Sequence, residues 1–280
     1  VRRRDLAALL TTSGGLLLGP ACSPRIAPVP TSPDIDRDPL ADLDPQLWPA
    51  RSAAEMLEVP LAEGVPDSEA WSQLSTDDDL QPARQQLVDF LSVAYLDPEP
   101  LSALDEEAAH ARVAQAAPAF WQEELQEAWA GGTRYFYAIA FAAGFRCVGR
   151  PAIAVQWLRG ETEDGGPTLM VGGTLAWSVL DTATRAVGVI AYRYGIVADL
   201  AEDGALDQAQ LRVTIHGVDG CESFEEGLLV PALADTEPHR AAQERTHAAI
   251  IASPQVSRDD LVHSDSLVFS GDESTNILCD

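Results

Sequence analysis

Apolar side chains first take up helical spacing at Gln85. Leu87, Phe90, Leu91, Ala94 and Tyr95 fall on one face of an amphipathic helix. Asp97-Pro98-Glu99-Pro100 ends it, because a residue before proline avoids the α region. A second helix is expected from Pro100 or Ser102 through Ala116. Pro118 suits the first turn of a third, in which Trp121, Leu125, Ala128 and Trp129 share a face until Gly131-Gly132. The period then changes to two. Alternation predicts strands over 134–141, 151–158, 168–180, 185–198 and 209–216, with turn residues between the later runs. In 168–180 the odd positions are apolar, while Thr168, Thr174 and Ser178 lie opposite. Both faces of 185–198 are apolar, as a central strand requires. Gly172-Gly173 inside a strand pattern predicts a bulge or sharp bend.

Helices followed by a meander with short connectors predict an α+β domain over 83–221, with N-terminal helices packed on a curved antiparallel sheet of four to five strands. This element order resembles the NTF2-like (cystatin-like) superfamily. The resemblance implies a cone-shaped pocket between helices and sheet. Tyr135, Tyr137, Trp157, Trp177, Tyr192 and Tyr194 are its candidate lining residues, although a plain core is the favoured reading of the same residues. His216 lies on the polar face of a strand beside Arg212. A pocket on that face would let it act as acid or base with a carboxylate such as Asp199.

The flanks follow other rules. Arg2, Arg3 and Arg4 precede an apolar stretch of about 13 residues, too short to span a bilayer. Arg3-Arg4-Asp5-Leu6, then Leu18-Gly19-Pro20-Ala21-Cys22-Ser23, resemble a twin-arginine lipoprotein signal, departing from its usual pattern at Gly19 and Pro20. That resemblance implies export, lipidation of Cys22 and anchorage on the outer face of the cytoplasmic membrane. Residues 1–22 then form the signal segment. Residues 23–82, punctuated by proline and acidic side chains, are expected to form an extended disordered tether, with a short helix around Arg51 to Glu58 and with Trp48 and Trp71 docking on the domain. After the domain, 222–280 are expected to form a helix over 236–252, capped by Asp235 or Thr236, and a polar tail.

Composition sharpens this picture. The chain has 280 residues, with 44 Asp and Glu against 18 cations, all Arg, and a net charge of −26. Without a basic face, nucleic acid is excluded as an expected partner. The acidity is uneven: residues 133–220 carry −2, residues 22–132 carry −17, and residues 221–280 carry −9. Four cysteines are present. With Cys22 lipidated, a Cys147–Cys221 disulfide is expected in an exported protein, and Cys279 is the competing partner for either. His239, Glu244 and His247 miss the i, i+4 spacing of a helical metal site, so no metal is expected. There is no nucleotide-binding or nucleophile-elbow motif, and no cofactor is implied. The expected function is a non-catalytic envelope binding or accessory module whose partner is an envelope protein or a small apolar ligand. An enzyme using His216 is the alternative, and a transporter-associated solute-binding lipoprotein the second.

Overall fold

The structure is a computed structural model that describes residues 38–62, 77–162, 164–252, 254–257, 261 and 275–278. Arg3, Arg4, Cys22, Trp71 and Cys279 lie outside the described residues. Its helices are α1 (Ala53–Glu58), α2 (Gln81–Leu91), α3 (Pro98–Ser102), α4 (Glu106–Ala116), α5 (Gln122–Ala130), α6 (Gly220–Glu226) and α7 (Glu237–Ala252). Its strands are β1 (Leu61–Ala62), β2 (Phe145–Glu161), β3 (Pro167–Asp181), β4 (Val187–Leu200) and β5 (Leu206–His216).

The strands form one five-stranded sheet in sequence order. The chain is α+β, as its pattern predicts, but the sheet is mixed. β2 to β5 form an antiparallel meander, and β1 joins the free edge of β2 in parallel, with Leu61 opposite Trp157. Two long pairings, β2 with β3 and β3 with β4, give these strands their shared length. The β2–β3 register shifts between Val148 and Ala152, around Pro151, whose nitrogen has no proton for the ladder. Gly172-Gly173 is not a bulge, since the register with β4 runs through both residues unbroken. A Cβ at Gly173 would sit 1.7 Å from the Ala154 carbonyl oxygen, so glycine is needed there for close approach of β2.

The two faces of the sheet are covered by different parts of the chain. Ile153, Val155, Trp157, Val171, Leu175, Trp177, Ile190, Tyr192, Tyr194 and Ile215 meet the apolar sides of α2, α4 and α5 in one cluster. On the opposite face, Ala152, Ala154, Ala176, Val189 and Ala191 pack against Leu40, Leu43, Trp48 and Ile250. Small strand residues on that face let the cover approach closely. At Gly188, an added Cβ would lie 2.4 Å from Leu233 Cδ2 and 2.3 Å from Gln243 Oε1. The polar positions Thr174, Ser178 and Arg193 are buried there too, and Thr174 donates to the Pro254 carbonyl at 2.6 Å.

Part of the stretch expected as a disordered tether is therefore folded. Leu40, Trp48, Ala50 and Met56 are buried, α1 forms where its helix-favouring residues predict it, and Ser52 caps it through the Glu55 N–H. The apolar spacing in 38–56 is too sparse to read as a cover, because it fills holes between small strand residues. Residues 134–141 also depart from expectation. They form a 3₁₀ turn over Arg134–Phe136 and one isolated bridge, Phe141 to Leu229. Their carbonyls are taken by side chains: Tyr192 donates to Tyr135 O and Tyr95 to Phe136 O, both at 2.7 Å.

Candidate functional site

The interior pocket implied by the resemblance is filled. Trp157 and Trp177 are buried in the core. Trp157 Nε1 donates to the Met56 carbonyl at 2.9 Å, and the Arg84 guanidinium lies 4.7 Å from the centre of its ring. Tyr95, Tyr192 and Trp177 meet edge to face between helices and sheet. Burial raises the phenols of Tyr95, Tyr192 and Tyr194 well above their ordinary range. Tyr135 is only partly buried, and the Tyr137 hydroxyl donates to Glu124 at 3.2 Å. Burial, then the neighbouring Glu124 charge, pushes Tyr137 up to about 12. These aromatics make a core and its rim, not the walls of a shared groove.

His216 is buried on the opposite face of the sheet, with Nδ1 2.7 Å from Thr275 Oγ1. It pairs in register with Ala191, whereas Asp199 pairs with Gln208 at the far end of the same ladder. At about 3.3 Å per residue, the two are roughly 25 Å apart. The His216–Asp199 couple is not formed. Alternation places both on one strand face, but that says nothing about distance along the ladder.

Cys147 is a free thiol, so the expected Cys147–Cys221 bridge is absent. The strand ends beside these cysteines share one end of the sheet, yet β3 and β4 lie between β2 and β5. Three strand spacings come to about 14 Å, beyond the roughly 4.4–6.8 Å Cα range of a disulfide. Burial, then the charges of Glu99 and Asp97, pushes the Cys147 thiol up to about 12. Cys221 is disulfide-bonded.

The structure instead gathers Asp219, Thr236 and His239. Asp219 caps α6: its Oδ1 accepts the N–H groups of Cys221 and Glu222, each at 3.0 Å. Its Oδ2 lies 3.1 Å from His239 Nε2, and His239 Nδ1 lies 2.7 Å from Thr236 Oγ1. A histidine that donates from Nε2 to the carboxylate accepts at Nδ1 from the threonine hydroxyl. The result is an unbroken hydroxyl–imidazole–carboxylate chain across the starts of α6 and α7. Gln243, one turn further along α7, joins the strand ends. It accepts from Val189 N at 2.7 Å and donates to Gly217 O at 3.0 Å. Val189 lies beyond the last pairing of β4 with β5, at Ala191, so its N–H turns to this side chain.

Beside this network opens a cleft of about 610 Å³. Its floor is Ala186, Val187, Ala232, Leu233 and Ala234, and its polar wall includes His239, Arg240, Gln243 and Glu244. Arg240 pairs with Asp235 at the exposed rim. The β3–β4 turn forms the other rim, held by Asp181, whose carboxylate accepts the Thr184 hydroxyl at 2.7 Å. Slight burial acts to raise the Asp181 carboxyl, but hydrogen bonds from Thr184 and the Ala183 N–H hold it below its ordinary value. His247, eight residues beyond His239, faces elsewhere and lies 3.2 Å from the Pro39 carbonyl. Among the described residues, no group of three His, Cys, Asp or Glu is placed to hold a metal ion.

His239 is the site residue that spacing alone misses. As one of several polar residues on a helix it reads as solvated. Its signals are the Thr236 cap three residues before it and an aspartate placed to cap a helix after the last strand. No protein-family model, curated protein or solved structure matches the chain. Among the described residues, no helix is long and apolar enough to cross a membrane.

Proposed function

We propose that the chain is an exported lipoprotein, held by lipid at Cys22 on the outer face of the cytoplasmic membrane. Its folded body serves as a non-catalytic binding module of the envelope. The observation that carries this reading is the lining of the cleft beside α7. Both sheet faces are filled, and the cleft beside α7 combines an apolar floor with a few polar groups on one wall. A small apolar ligand, or an apolar side chain of an envelope protein, fits that lining. Helices followed by a long-stranded meander support an NTF2-like relationship. On that reading the family's internal pocket is closed by aromatic side chains, and recognition moves to the outer surface.

Two experiments test this. Cys22→Ala should shift the protein from the membrane to the soluble fraction, and full membrane retention would overturn the anchor. An apolar fluorescent probe, anilinonaphthalene sulfonate, should bind the intact protein. Ala234→Trp, placed at the exposed floor of the cleft, should weaken that binding at least tenfold. Equal binding by the variant would move the site elsewhere. The Thr236–His239–Asp219 chain favours a second reading, acyl transfer to the Thr236 oxygen with His239 as base. Hydrolysis of p-nitrophenyl acetate that disappears in both Thr236→Ala and His239→Ala would establish that reading in place of the first.

A further inference from the structure

Glu106, Glu107 and His110 stand together on α4, because side chains three and four residues apart are neighbours on a helix. Ala109 and Val113 bury the core side of the same helix. α5 packs against α4 and brings up Gln126 and Trp129, again three residues apart. These five residues line a cleft of about 370 Å³. It shares no lining residue with the cleft beside α7.

Two buried nitrogens in its walls, Trp129 Nε1 and His110 Nε2, have no hydrogen-bond partner among the described residues. Trp129 as a whole is only 7% exposed. Other buried indoles show the usual outcome: Trp121 and Trp157 donate from Nε1 to the carbonyls of Ala209 and Met56, each at 2.9 Å. Trp177 Nε1 is also unpartnered, but Trp177 lies in the closed core, whereas Trp129 borders a cleft. Polar atoms sealed away without a partner destabilise a fold, so a pair of them in one wall asks for an occupant. The His110 and Trp129 rings meet edge to face with centres 5.3 Å apart, near enough for both nitrogens to serve one polar group. An indole N–H only donates, and the unprotonated nitrogen of a neutral imidazole accepts. A hydroxyl satisfies both, accepting from Trp129 and donating to His110. Glu106 and Glu107 are exposed, and neither has an ion-pair partner among the described residues. Two unpaired carboxylates beside an aromatic wall favour a cation.

We propose that this cleft binds a protonated amino alcohol. The ammonium lies against Glu106 and Glu107, and the hydroxyl bridges Trp129 Nε1 and His110 Nε2. The site depends neither on the lipid anchor nor on the cleft beside α7. A free amino sugar and the ethanolamine headgroup of a lipid both carry this chemistry.

Calorimetric titration of the intact protein, at the roughly millimolar concentrations that so small a ligand requires, should show binding of ethanolamine or glucosamine. Ethylamine, which lacks the hydroxyl, and glucose, which lacks the amine, should bind at least tenfold more weakly. Binding of neither amino alcohol, or equal binding of ethylamine or glucose, overturns the proposal. Two further readouts place the ligand. The Trp129 indole resonance, identified by its loss in Trp129→Phe, should shift as ethanolamine or glucosamine binds, while that of Trp157 stays. The pair Glu106→Gln and Glu107→Gln, at exposed positions, should weaken binding at least tenfold and leave Tm unchanged. An unmoved Trp129 resonance in the bound protein, or full binding by the double variant, would also overturn it. Vesicles separate the two sources, with the Cys22→Ala protein used so that no lipid anchor contributes. Cosedimentation with phosphatidylethanolamine vesicles beyond that with phosphatidylcholine, lost in the double glutamine variant, identifies the headgroup. Binding of glucosamine without such cosedimentation identifies the free amino sugar.

Discussion

Arg84 shows how much a single side chain decides. It lies on α2, is buried, and donates from Nη2 to the carbonyls of Leu57 and Val59 at 2.9 and 2.7 Å. Its guanidinium also covers the Trp157 ring. It thereby ties the segment between α1 and β1 to the helical layer. Arg84→Met keeps the length and loses the donors, leaving two carbonyls without this partner. We expect a loss of about 3 kcal/mol, seen as a fall of roughly 6–12 °C in Tm by calorimetry. Nothing in the local sequence separates Arg84 from the other arginines, since its partners stand 25 and 27 residues away. The same holds for Asp219 and His239, which are 20 residues apart and meet only because α6 and α7 start side by side.

At the scale of elements, periodicity was a sound guide wherever an element buries one face against a continuous neighbour. The helices carrying Leu87 and Phe90, and Trp121 and Leu125, appear where their spacing puts them, as do β3, β4, β5 and α7. Helix 100–116 divides into α3 and α4 around Ala103 to Asp105, where Asp105 caps the second piece through the Ala108 N–H at 2.8 Å. The pattern misleads over 134–141, where alternation is genuine but tyrosine hydroxyls take the carbonyls a strand partner needs. It also misleads over 38–62, where prolines and acids suggest an extended chain. There the buried Leu40, Trp48 and Met56 are too widely spaced to show a period. For Leu40 and Trp48 the second sheet face explains this, while Met56 joins the helical side. Alanines and glycines on β2, β3 and β4 demand a cover, yet the small residues name no particular one.

The described fold is a nearly neutral sheet between two covers, and most of the chain's charge falls in the segments before and after the sheet. Among the groups buried between the sheet and its helices are phenols, and a partly buried thiol, held neutral by burial. Their raised pKa values make a prediction about pH. An acid whose pKa is higher in the folded state binds its proton more tightly there than in the unfolded chain. Its contribution is complete below the unfolded value and is lost as pH rises toward the folded one. For Cys147, raised from 9.0 to about 12, that window is pH 9–12. Tyr95, Tyr192 and Tyr194 add the same sign from about pH 10. Each group costs about 1.4 kcal/mol per pH unit within its window. Urea unfolding followed by circular dichroism should therefore show stability falling steeply between pH 9 and pH 11, with the ionisation of Tyr95, Tyr192 and Tyr194 at 295 nm appearing only as the chain unfolds. Titration of all five tyrosines near their ordinary range in the folded protein would contradict this burial. By itself, the sequence determined most helices and the strands of the meander, the non-edge place of β4 and the placing of most of the acidity outside the sheet, because these depend on composition and on spacing between near neighbours. Only the tertiary structure decided which cover closes the second sheet face, that the aromatics fill the interior, that Cys147 stays free, and that Asp219, Thr236 and His239 meet beside a cleft. Those outcomes depend on which distant segments share a sheet end or a helix start, and no local period records that distance.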